Sequence, residues 1–230
     1  MKEVTTQDQM THESASLSRR KFLNYAGVIA GAGLLIASCK KDDVQPTADD
    51  DTINLGSNDT GLLNYAYLLQ QLEAAFYIQV LKTPFSGMTK TEEGIFTQIR
   101  DHEIVHREML KNYLGTDGIP PALENDWSSI DFSLKSSVMA KAKFFEEVSV
   151  AGLNGICRLV IAEEHLVTLA KMSVVDARHS AVINDMITPG TFAEKADSNG
   201  MEVSQDPQSS IDITKKFFKK TITGINLPKY

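Results

Sequence analysis

Arg100-Asp101-His102-Glu103-Ile104-Val105-His106-Arg107 is the stretch that decides how this chain is read. On a helix, Glu103 and His106 lie three residues apart, so their side chains leave the same face one turn apart. That face is otherwise apolar: Phe96, Ile99, Glu103, His106, Leu110 and Tyr113 follow the alternating three–four spacing of a buried seam. A carboxylate and an imidazole are thus directed into a core. There an unpaired carboxylate is very unfavourable, and it demands either a satisfying network or a cation.

Three further seams carry matching groups. Glu73 lies among Leu62, Ala66, Leu69, Phe76 and Val80. Glu146 lies among Met139, Ala142, Ser149, Leu153 and Ile156. Asp176 and His179 lie among Leu169, Met172, Ile183 and Met186. The spacing repeats: Glu73 precedes Glu103 by 30 residues and His106 by 33, and Glu146 precedes Asp176 and His179 by the same intervals. Two helical hairpins of one design each give a lone carboxylate and then an acid-x-x-His pair. Two-metal carboxylate bundles are built this way.

The fold expected is all-α, a four-helix bundle over residues 59–188 with one long crossover between helices 2 and 3. Helix 1 is expected over about 60–82, with Asp59 or Thr60 as its cap, and helix 2 over about 91–114 after the break at Thr83-Pro84-Phe85-Ser86-Gly87. Residues 115–132 hold Pro120-Pro121 and Trp127 without a helical period and form the crossover. Helix 3 follows over about 134–159. Helix 4 runs from Glu163, where Glu163 and Glu164 suit a helix N-terminus, to Ile187, and is closed by Pro189-Gly190. No Gly or Pro occurs between helices 3 and 4, so that turn rests on the repeat spacing alone. Residues 189–230 form a C-terminal extension with a short amphipathic helix within 210–223.

Ahead of the bundle, residues 1–38 read as a targeting segment and are set apart from the fold. Ser18-Arg19-Arg20-Lys21-Phe22-Leu23 resembles a twin-arginine export signal, with Arg19 and Arg20 as the pair. The apolar run Tyr25–Ser38 is too brief for an ordinary membrane span. Leu35-Ile36-Ala37-Ser38-Cys39 resembles a bacterial lipobox, which implies a lipidated Cys39; a plain N-terminal anchor helix is the alternative. Residues 39–58 read as a flexible tether. These features point to an exported protein, lipid-anchored in the bacterial cell envelope on the periplasmic face or the cell surface. The membrane is then its partner through Cys39, and homo-oligomerisation stays open. A net charge of −7, with no basic stretch, excludes nucleic acid.

Four carboxylates in one core would carry about four negative charges, which two divalent cations neutralise. Carboxylates with imidazole and no thiolate suit iron or manganese, with zinc retained on raw affinity. The expected ligands are Glu73, Glu103, His106, Glu146, Asp176 and His179. Glu103 and Asp176 are the bridging candidates, Glu73 and Glu146 the terminal ones, and each histidine serves one ion. A metal-free polar network and a single ion are the competing readings. Glu147 reads as surface, beside Lys143, and His102 as a ligand's outer neighbour or solvated. His165 reads as a boundary residue. Tyr77 either packs or hydrogen-bonds a ligand, and Arg178 and Asp101 either orient ligands or pair on the surface. Cys157, roughly 16 Å along the axis from Glu146, is a core thiol rather than a ligand.

On these residues the chain resembles the ferritin-like superfamily over about 60–188. Leu72-Glu73-Ala74-Ala75-Phe76-Tyr77, Glu103-Ile104-Val105-His106 and Asp176-Ala177-Arg178-His179 look most like the bacterial ferritin-like domain group related to desiccation-associated proteins. The resemblance implies a four-helix bundle with a non-haem di-iron or di-manganese centre. Asp176 departs from it, since that motif normally begins with Glu; a shorter side chain bridges two ions less readily. The function expected is an oxidoreductase-type site acting on O₂ or peroxide, in the manner of a ferroxidase, peroxidase or catalase. The alternative is a non-catalytic surface-binding or stress-protective module whose metal is structural or absent.

Overall fold

The structure, a computed structural model, describes residues 51–194 and 196–229. The twin-arginine motif and Cys39 lie outside the described residues. Four long helices make the bundle: α1 (Asn58–Lys82), α2 (Lys90–Leu114), α3 (Lys135–Ile156) and α4 (Glu163–Ile187).

Cross-helix contacts fix the directions. Along α1, Asn64, Gln70 and Tyr77 meet Ile119, His106 and Phe96 respectively, so α2 runs back along α1. Ser149 and Asn154 of α3 meet Asp176 and Ser173 of α4, again antiparallel. Phe76 and Gln70 meet Phe145 and Ser149, which sets α3 antiparallel to α1 and therefore parallel to α2. A chain leaving α2 must return the length of the bundle before starting α3. The crossover does this along the outer face of α1: Asn64 donates to the Asp117 carbonyl, Gln71 to that of Pro120, and the Phe76 ring lies against Trp127. This cover explains why α1 is buried on nearly all sides, including Tyr65, Tyr67, Gln70 and Gln71.

Local signals set most ends. Thr89 and Glu92 form a reciprocal capping box at the start of α2. The turn from α3 to α4 is closed differently. Asp59, at the first turn of α1, accepts hydrogen bonds from the backbone N–H of Ile161 (3.0 Å) and Ala162 (2.8 Å) and contacts His165 Nδ1 at 3.0 Å. Asp59 or Thr60 is the cap expected for α1; Asp59 instead ties down the backbone immediately ahead of α4, and Ser57 at the N-cap of α1 makes no side-chain capping bond. Burial works against its charge, but the Ala162, Ile161 and His165 contacts hold the carboxyl below its usual range. Replacing Asp59 by Ala is expected to cost about 1–2 kcal/mol, the size of a lost cap, read as a lower midpoint in thermal unfolding followed by circular dichroism.

The stretches flanking the bundle are ordered further than the sequence suggested. Thr52–Asn54 (β1) pairs in parallel with Thr221–Thr223 (β2), Ile53 opposite Ile222, and Leu55 is fully buried. The flexible tether expected over 39–58 is corrected at its C-terminal end, where Thr52–Asn54 are paired in a sheet; residues 39–50 lie outside the described residues. In the C-terminal extension, α5 (Pro207–Thr214) starts under an Asp206 cap, a few residues earlier than expected. It is followed by a tight turn that seats Phe217 against Phe145. Gln205 donates to the Ala151 carbonyl beside Gly155, where any Cβ would strike the Gln205 backbone. That glycine lets the extension lie directly on α3.

Candidate metal centre

The six expected ligands meet in the middle of the bundle. Glu73, Glu103, His106, Glu146, Asp176 and His179 are each at most 9% exposed. Antiparallel packing puts the 30-residue repeat to use, because both hairpins present their acid-x-x-His pair at one level.

Two groups of three form around one shared carboxylate. Glu103, Glu146 and His179 make the first; Glu103, His106 and Asp176 make the second; in each, the candidate ligand atoms lie within 4.8 Å of one another. His179 Nδ1 is 2.7 Å from Glu103 Oε1 and 3.7 Å from Glu146 Oε2. His106 Nδ1 is 3.3 Å from Asp176 Oδ1 and 3.8 Å from Glu103 Oε2. Glu103 thus turns one oxygen to each group, as a bridging carboxylate must.

Asp176 does not share that role. It belongs to one group only, and its Oδ2 accepts from Gln70 Nε2 (3.0 Å) and Ser149 Oγ (3.2 Å). Of the two bridging candidates, Glu103 lies in both groups and Asp176 in one. Glu73 is buried beside the centre but enters neither group; Gln70 Nε2 donates to its Oε2 at 3.0 Å.

The charge balance inside is strained. Burial, then the neighbouring acids, push Glu73 and Glu146 well above the usual carboxylate range, and burial and Glu103 push Asp176 up. Burial also acts on Glu103, but His106 and His179 outweigh it and hold that carboxyl low. Burial disfavours the charged His106 ring, yet the Asp176 and Glu103 carboxylates prevail and raise it to about 10.

Hydrogen bonding leaves the same atoms short. Glu73 Oε1, both oxygens of Glu103, Glu146 Oε2, Asp176 Oδ1 and His179 Nδ1 are buried without a hydrogen-bond partner among the described residues. The 2.7 Å approach of His179 to Glu103 lacks hydrogen-bond geometry, so their lone pairs are not spent on each other. Each orphaned buried group costs about 1–3 kcal/mol, and more when charged. Six from five side chains around one point fit cation ligands, and an oxygen-rich set with imidazole and no thiolate suits hard or borderline divalent ions.

Supporting residues complete the site. Tyr77 donates to Glu146 Oε1 at 2.6 Å while its buried ring packs against Phe76 and Phe96, so both of its readings hold. His102 Nδ1 lies 2.9 Å from His179 Nε2, with the rings stacked at 14°. Were His179 to hold an ion through Nδ1, its Nε2–H would donate to His102 Nδ1, and that contact would fix the tautomer. Asp101 pairs with Arg100 on the surface. Glu147 is half-buried with Lys143 3.6 Å away, and His165 sits between Asp59 and Tyr113. Cys157 ends α3 and joins neither group.

Gln70 and the hydroxyl of Ser149 escaped the sequence reading. Gln70 stands one turn before Glu73, and that Gln-x-x-Glu spacing on an apolar face was the available signal.

Four helices turning carboxylate and imidazole side chains to one interior point define a carboxylate–histidine bundle whose buried groups could hold a metal ion. The family model for the ferritin-like domain matches residues 58–189, from the start of α1 past the end of α4. The chain belongs to that family. No curated protein matches it.

Proposed function

We propose that this is an exported, lipid-anchored ferritin-like protein of the bacterial envelope whose centre holds two iron or manganese ions and acts on O₂ or peroxide. The observation that carries the reading is the shared carboxylate. Glu103 gives one oxygen to the Glu146/His179 side and one to the His106/Asp176 side, where the other orphaned atoms gather.

Glu146, Asp176 and the two histidines would bind as terminal ligands, one acid and one imidazole per ion. Glu73 Oε1 stands as an additional carboxylate donor. Such a pair of ions supplies one-electron redox steps to a bound oxidant. The chain's own part is to hold geometry and exclude water: Tyr77 fixes Glu146, and His102 orients His179. Twin-arginine export, which suits a protein folded around its metal, is supported by Arg19-Arg20, and anchoring by the lipobox ending at Cys39. The resemblance of the motifs to the group of desiccation-associated proteins supports a role in stress protection.

Anaerobic loading with Fe(II), then exposure to O₂ or peroxide, tests the chemistry. Oxidation of bound Fe(II) well above the rate of the free ion is the expected result. A protein that binds the ion and oxidises none of it is instead a structural metalloprotein. Cys39→Ser is expected to move the protein from the membrane fraction to the soluble one, read by immunoblot of fractionated cells.

A further inference from the structure

Gln70 is fully buried and touches three of the six candidate ligands. Its Nε2 lies 3.0 Å from Glu73 Oε2, 3.0 Å from Asp176 Oδ2 and 3.3 Å from Ser149 Oγ, while its Oε1 lies 2.9 Å from His106 Nδ1. Carboxylate oxygens accept, so the nitrogen must face them and the oxygen must face the imidazole. His106 Nδ1 then carries a hydrogen and donates it to Gln70.

A coordinating nitrogen needs its lone pair. For an ion to sit between Glu103, His106 and Asp176, the His106–Gln70 bond has to break. Asp176 meanwhile keeps only Oδ1 for the ion, because Gln70 and Ser149 hold Oδ2. In the other group Tyr77 holds Glu146 Oε1 much as Gln70 and Ser149 hold Asp176 Oδ2, but the imidazoles differ: His179 Nδ1 has no hydrogen-bond partner among the described residues, whereas His106 Nδ1 is bonded to Gln70. His179 is also already oriented from behind by His102.

We infer that Gln70 is a positioning residue that makes the two halves of the centre unequal, latching His106 and Asp176 so that the Glu103–Glu146–His179 half fills first and more tightly. This rests on the metal-centre reading and adds the order and inequality of filling. The amide satisfies buried acids on one side of the centre and so competes with an ion there.

Calorimetric titration of the full chain with anaerobic Fe(II) tests it against Gln70→Met, which keeps the length and removes both donors and the acceptor. The wild type is expected to bind in two steps, the second weaker by roughly tenfold or more, the scale of one charged hydrogen bond. In Gln70→Met that gap closes. A single step in the wild type, or an unchanged gap in the variant, overturns the inference. ¹⁵N-histidine spectra of the wild type titrated with Zn(II) give an answer that needs no variant to fold. The first equivalent should move His179 and leave the His106 Nδ1–H signal, which disappears with the second; the reverse order, or simultaneous change, refutes the latch. Failure to bind either ion removes the metal centre itself, and the inference with it, whereas equal binding removes only the inference.

Discussion

Glu103→Gln is expected to abolish tight binding of the two proposed ions while the bundle stays folded. Every other acid at the centre serves one group or neither, whereas Glu103 serves both, so one substitution disables two sites. Gln preserves the volume, which avoids the cavity that Glu103→Ala opens. Removing the acid also relieves the repulsion that pushes up Glu73, Glu146 and Asp176. A ligand that binds only the folded state at a thousand times its dissociation constant stabilises it by about 4 kcal/mol. The wild type should show a gain of that size on adding Mn(II), as a higher unfolding midpoint; Glu103→Gln should show almost none. A variant retaining most of the gain would place the ions elsewhere.

The second large effect is a stability that falls with pH when divalent ions are chelated away. Groups whose folded pKa is raised stabilise the fold fully below their unfolded value and lose that contribution as pH rises through the folded one. Glu73, Glu146 and Asp176 are raised, so their contribution fades upward from the ordinary carboxylate range. His106, raised from 6.5 to about 10, adds a loss over that window. Glu103 is lowered and acts the other way, its contribution being lost only as pH falls into the acid range. The net slope is downward, with roughly 5 kcal/mol lost between pH 6.5 and 10 from the imidazole, or about 10–20 °C in the midpoint. Saturating Mn(II) should flatten or reverse the slope, because metal ligands must be deprotonated. Midpoints across pH, with and without the ion, check it; a chelated protein that gains stability on going alkaline would contradict the charge assignment.

The bundle and its six polar seam positions were legible because burial and helical period act together: an acid at a seam position has nowhere to go but inward. The seam failed at its end, where Tyr113 is 48% exposed and Leu114 turns in, since a 3.6-residue helix drifts off any fixed spacing. The α3–α4 turn could be placed but not explained, because its cap, Asp59, lies about a hundred residues away in the chain. Gln70 was passed over for a related reason. A neutral amide breaks no rule of burial, and its worth appears only when α2, α3 and α4 deliver His106, Ser149 and Asp176 to it. The strands around Ile53 and Ile222 are three residues each, too short for a period to show.

Metal content is the direct measure of the centre. Elemental analysis of the chain purified after expression with abundant iron and manganese should return about two ions per chain, by the logic of carboxylate bundles, and about none from Glu103→Gln. A wild-type protein that emerges folded and metal-free from that expression would show that the buried acids are held by protons and hydrogen bonds alone.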